Sequence, residues 1–222
     1  MNKVLTLIVA LATVFCPLAA FSGLIPGVEM EAGLEVGDFH YRESHIMRED
    51  GVQGGVYGSI AVLAADPLYF QFYMSFVGGD VKYDGGYGSG WSYRTLTGDT
   101  SNYIYNFRGL AGLRLGTDGF TLMPYTGIGY RYLENDLRDL TIPGVVSGYL
   151  REQTYVYLPL GLEMTFPISS DGSWSMGLRG EFDWMFYGFN KSGDTDLDGQ
   201  DGWGFRLMPF IRYDINEQVG LK

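Results

Sequence analysis

The chain has almost no cysteine: the single one among its 222 residues is Cys16. That residue falls in a segment expected to be removed, so neither disulfides nor thiol chemistry belong to what remains. Histidine is scarce too, limited to His40 and His45. Positive charge is in deficit, with 15 Lys and Arg against 26 Asp and Glu and a net charge of −11. No basic cluster offsets it, so a nucleic-acid partner is excluded. Past the first residues, no apolar run approaches the roughly 20 residues that a helix needs to cross a bilayer. Sustained helical periodicity and low-complexity tracts are missing as well.

The N-terminus carries Lys3, a mainly apolar run from Val4 to Phe15, and the small residues of PLAAFSG. A short positive start, an apolar core too short to span and a small-residue exit describe a secretory signal peptide. Residues 1–22 are therefore expected to be cleaved after Ser22, with Ala20 as the alternative site. Residues 23–222 form one domain. Val14 and Phe15 before Cys16 do not suit lipidation. Loss of Lys3 leaves 14 basic and 26 acidic residues, so the processed chain carries 14 − 26, or −12.

Glycine and tyrosine are abundant, at 33 and 17 residues. Period-two alternation runs through nearly all of residues 28–215, the pattern of strands with one oily and one polar face. Eight segments are marked: Val28–Tyr41, Val52–Leu63, Leu68–Tyr83, Tyr103–Gly116, the stretch around MPYTGIGYRY at Met123–Tyr132, Gln153–Phe166, Trp174–Tyr187 and Trp203–Ile215. Their connections alternate in length. AADP, GTDG and PISSDGS are short, whereas about 43–51, 84–102, 133–152 and 188–202 read as long loops. Outer-membrane barrels pair short periplasmic turns with long extracellular loops in this way.

The two faces differ in chemistry. One is rich in Phe, Leu, Met and Trp. The other carries Glu29, Glu31, Glu35, Glu163, Glu181 and Asp183 with Arg108, Arg114, Arg131, Arg179, Arg206 and Arg212. Six acids and six arginines on one face suit a lumen in which bidentate pairs satisfy one another, with lipid on the bulky apolar side. Eight strands leave an interior that side chains can just fill. The expected fold is an all-β, transmembrane, antiparallel up-and-down β-barrel of eight strands, or ten if the native chain is longer. In MPYTGIGYRY, Pro124 then sits on the lipid face, Gly127 and Gly129 make room for inner side chains, and Tyr130 and Tyr132 lie at an interface.

MPYTGIGYRY followed by YVYLPLGLEMTFP, Tyr155 to Pro167, resembles strand pairs of small bacterial outer-membrane β-barrel proteins of the OmpA-like, OmpX-like and opacity-type class. The resemblance spans nearly the whole processed chain as a pattern. It implies residence in the outer membrane of a Gram-negative bacterium, contact with outer-membrane lipid and lipopolysaccharide, and engagement of the barrel-insertion machinery during biogenesis. Such chains usually end on an aromatic residue. This one ends DINEQVGLK, so Asp214–Gln218 reads as a further turn and VGLK as the start of another strand.

Candidate chemistry is sparse. His40 or His45 with Ser44, Glu43 and Asp38 gives the residue types of a rim hydrolase, lipid A deacylase-like or omptin-like, but in no recognisable family spacing. Solvated rim residues are the reading taken, and no enzyme activity is expected. GDTDLDGQDGW places Asp194, Asp196 and Asp198 before Gly199 like the opening of a calcium loop. The twelfth position, where a bidentate Glu belongs, is Phe205, so at most Asp194, Asp196, Asp198 and Asp201 hold a cation weakly. No cofactor is expected. GGYGSGWSYRTLTGDTSNY suits an adaptable surface for an extracellular ligand. A small diffusion pore is the further alternative.

Overall fold

A computed structural model describes residues 27–43, 46–87, 94–117, 119–140, 148–199, 201–216 and 219–222. The expected signal peptide, Ser44 and His45 lie outside them. Eight long strands follow one another: β1 Val28–Glu43, β2 Met47–Ala65, β3 Leu68–Tyr87, β4 Arg94–Leu113, β6 Phe120–Asp136, β7 Leu150–Pro167, β8 Trp174–Ser192 and β10 Gly202–Asn216. Three short ones complete the wall: β5 Leu115–Thr117 continues β4 against β6, β9 Thr195–Asp198 folds back on β8, and β11 Val219–Leu221 follows β10. Neighbours in sequence pair antiparallel around a ring. The ring closes through β11, which is antiparallel to β10 and parallel to β1.

Alternation decides which face meets what. Leu68, Phe70 and Phe72 on β3 are exposed outward, while Tyr69 and Tyr73, of the opposite parity, are almost fully buried. The same parity carries Leu160, Phe182 and Ile211 outward on β7, β8 and β10. Aromatic pairs bracket this apolar band. Phe120–Phe166 and Trp174–Tyr213 lie toward the short-turn end; Tyr105–Tyr132, Phe107–Tyr130 and Phe182–Trp203 lie toward the other. Rings that are apolar with a polar tip prefer those two depths.

Gly129 and Gly161 make room for tyrosine rings. A Cβ on Gly129 would strike the Tyr157 ring, and one on Gly161 the Tyr125 ring. Gly127 is held instead by close backbone contact with Gly109 and Leu110.

The long-loop expectation needs correction. β3 and β4 stay in register up to Tyr87 opposite Arg94, and β8 turns tightly at Gly193, with φ +59°, into β9. Much of the length assigned to loops at 43–51, 84–102, 133–152 and 188–202 is therefore hairpin. The strands run 15 to 20 residues, beyond the roughly 9–11 that a tilted strand needs to cross the bilayer. Val81, Tyr83, Thr100 and Asn102 continue the inward set above the apolar band, so period two persists although the residues turn polar.

Candidate functional site

Among the described residues, titratable side chains converge in number in the lumen. The structure puts the twelve predicted acids and arginines on the inner face and brings eleven into ion pairs. Nearest the short turns, Arg114 grips Glu29 with two bonds of 2.5 and 2.6 Å. Arg212 donates to Asp214 at 2.6 Å and lies 3.7 Å from Glu31. Arg179 donates Nε to Glu163 at 2.6 Å, and Lys222 reaches the same carboxylate at 3.3 Å.

In the central layer Arg108 and Glu181 are almost wholly buried. Arg108 lies 3.0 and 3.1 Å from the two Glu181 oxygens, and Tyr125 donates its hydroxyl to Glu181 at 2.6 Å. Arg206 also pairs with Glu181 and lies 2.8 Å from Asp183. Arg131 approaches Asp183 at 3.8 Å and donates to Asn106 at 2.9 Å. Glu35, the twelfth residue, accepts the Tyr73 hydroxyl rather than a cation. The guanidinium of Arg108 also stacks 3.8 Å above the Tyr73 ring. Strands β4 and β8 supply Arg108 and Glu181 from opposite walls, with β6 and β7 between them.

Above this layer Gln53, Asn102, Asn106 and Asn135 are buried, followed by Glu49 and Arg151 3.8 Å apart. An apolar cluster lies toward that end: Met47, Tyr83, Leu137 and Leu140 pack together, with Tyr41, Leu96 and Tyr149 against them. Leu140 belongs to a 3-10 turn, Arg138–Leu140, folded over the mouth after β6. The short-turn end stays open as a vestibule of about 550 Å³ lined by Glu29, Arg114, Glu163, Arg212 and Asp171, among others. There the Ser169 and Ser173 hydroxyls hold the Asp171 carboxyl down to about 2.

Sequence reasoning missed Lys222, Glu49, Arg151 and the apolar layer. The even spacing of Gln53 and Glu49 on β2 was the available signal for the inner face of that strand's upper half.

His40 stands elsewhere. It is exposed on the outer surface above the apolar band, with Asp50 2.6 Å from Nδ1 and Asp38 2.9 Å from Nε2. Those hydrogen bonds, Asp50's first, raise its pKa above the ordinary histidine value. The acidic loop does not gather its carboxylates. Asp196 and Asp198 lie in the strand β9, opposite Lys191 and Phe189, and Asp194 sits in the turn before it. Among the described residues no three His, Cys, Asp or Glu side chains could hold a metal ion.

Residues 32–210 match the autotransporter beta-domain family. The chain belongs to that family. It is accordingly an outer-membrane β-barrel of a Gram-negative bacterium. The match carries the outer-membrane-barrel part of the resemblance read from Met123–Tyr132 and Tyr155–Pro167, but not the OmpA-like, OmpX-like or opacity-type grouping. No curated protein matches the chain.

Proposed function

We propose that this autotransporter beta-domain is a non-enzymatic integral membrane protein with a closed lumen, serving envelope structure and surface adhesion through its long-hairpin end. In this reading that end faces the exterior and the short turns face the periplasm. One observation supports it: an apolar cluster around Leu137 and Leu140 lies above the buried Arg108–Glu181 pair, and in this reading the two are successive barriers across the lumen. In architecture this keeps the likeness to small closed barrels of the OmpA-like kind. The outward Arg48 and Lys82 above the apolar band suit contact with lipopolysaccharide phosphates, and the hairpin tips suit an extracellular ligand.

The non-enzymatic part rests on His40. Both of its ring nitrogens are engaged by carboxylates, which leaves neither aimed at a hydroxyl nucleophile. Planar-bilayer recording tests the closed lumen: a silent bilayer is expected, and stable channel openings would overturn it. Lipid A composition should stay unchanged when His40 and His45 are both replaced by Ala; an altered acyl pattern would overturn the non-enzymatic reading.

A further inference from the structure

Tyr103 on β4, Glu134 on β6, Glu152 on β7 and Lys191 on β8 are successive cross-strand partners, one row on four neighbouring strands. Their sequence neighbours Asn102, Leu133, Asn135, Arg151, Gln153 and Asn190 are buried on the inner side, so alternation turns the row outward. Directly below it run Tyr105, Tyr132, Thr154 and Phe189. That lower row holds Tyr105–Tyr132, one of the aromatic pairs at the upper edge of the apolar band. The charged row therefore sits just above the band, at the depth where lipid headgroups meet a barrel wall.

On its own the row is electrostatically unfavourable. Glu134 and Glu152 stand directly opposite each other, and like charges in that relation repel. The Tyr132 hydroxyl donates to Glu152 at 2.5 Å, which serves one oxygen and cancels no charge. Arg138, close by, is engaged by Asp136 through bonds of 2.8 and 2.5 Å. Lys191 lies one strand beyond Glu152, and among the described residues it makes no ion pair. Beneath the two carboxylates the Tyr105 and Tyr132 rings lie 6.0 Å apart, tilted by 43°, with Phe76 5.0 Å from Tyr105.

An ammonium group suits this setting. It donates to two carboxylates at once and is drawn to the faces of tyrosine rings. A divalent metal fits less well, since two carboxylates supply too few oxygens to replace its water. Lys191, on the far side of Glu152, suits a negative group on the same ligand. In phosphoethanolamine an ammonium and a phosphate are two carbons apart, so the two charges reach neighbouring strands about 4.8 Å apart. We propose that the row from Tyr103 to Lys191 binds the phosphoethanolamine group of a lipid, with the ammonium between Glu134 and Glu152 and the phosphate on Lys191. The lipid is lipopolysaccharide decorated with this group, because the hairpin end faces the exterior in the reading proposed above, on which the choice of lipid rests. Lower on the same wall, a groove of about 670 Å³ lined by Ala111, Pro124, Thr126, Leu160 and Phe182, among others, takes an acyl chain.

The test uses the full chain in detergent micelles, with native mass spectrometry to count bound lipid. Two probes are compared: lipid A carrying phosphoethanolamine and the same lipid A without it. The decorated form should be retained about tenfold better, the worth of one charge-assisted contact. That preference should vanish in Glu134→Gln/Glu152→Gln and weaken in Lys191→Gln, while heat-modifiable gel migration stays that of the parent barrel. Equal retention of both forms by the parent chain would overturn the site and leave the Arg48 and Lys82 contact standing. Retention of neither form would overturn both. Equal capture of phosphatidylethanolamine would make an ordinary phospholipid the occupant, against the source proposed. Displacement of the decorated lipid by a lysine-rich peptide would make the row a protein-binding surface instead.

Discussion

Arg108 and Glu181 meet at the centre of the barrel, 73 residues apart in sequence, with both side chains almost wholly withdrawn from solvent. Removing one partner strands the other in a medium of low polarity, which costs about 3–5 kcal/mol. Glu181 also serves Arg206 and Tyr125. Glu181→Leu should therefore destabilise the barrel more than Arg108→Met does. The double variant should recover part of the loss. Urea unfolding in detergent micelles, read by heat-modifiable gel migration, measures all three; equal losses from the two single changes would contradict the shared role of Glu181.

Gly129 and Gly161 are a steric prediction. Gly129→Ala pushes a methyl group into the Tyr157 ring, an overpacking change that costs about 1–3 kcal/mol. Tyr157→Leu should relieve much of it. The same unfolding assay checks the pair, and additive losses would show that ring and methyl do not meet.

His40 gives a pH dependence. Asp50 and Asp38 raise its pKa in the folded state. Its contribution to stability is thus fully present below the ordinary histidine value and fades as pH rises through the higher folded value. An NMR titration of the His40 ring should show a midpoint above about 6.5, dropping back toward it in Asp50→Asn. A midpoint at or below the ordinary value in the parent chain would refute the contact.

Leu160 tests which solvent bathes the outer face. Leu160→Arg places a charge in the middle of the apolar band, where about 2–4 kcal/mol of membrane stability is lost. Asp38→Lys, above the band on the same face, should cost far less. Folding yield into lipid vesicles separates the two.

Much of the wall was legible in sequence because strand parity is local. Leu158, Leu160 and Leu162 alternate with Tyr157 and Glu163 whatever the rest of the chain does, and each went to its expected side of β7. Which acid meets which arginine was not legible. Parity assigns a face, whereas the partner depends on the stagger of strands around the closed ring, and Arg108 crosses the lumen to reach Glu181. The hairpin extensions hid for another reason. Gly98, Asp99 and Thr100 have loop chemistry, yet Thr100 keeps the inward position set by Asn102 and Asn106. VGLK reads as the start of a strand, but its parallel seat beside β1 depends on how the ring closes.

In the proposed reading, the apolar layer at the mouth makes the molecule a stoppered cup in place of a tube. Under the proposed orientation, anything that wanders in from the periplasm rises past Arg114 and Glu29 and goes no further. Molecules outside the cell then meet only the rim. Antibiotics would then gain no entry through this protein, and a cell could make it in quantity without weakening its own permeability barrier.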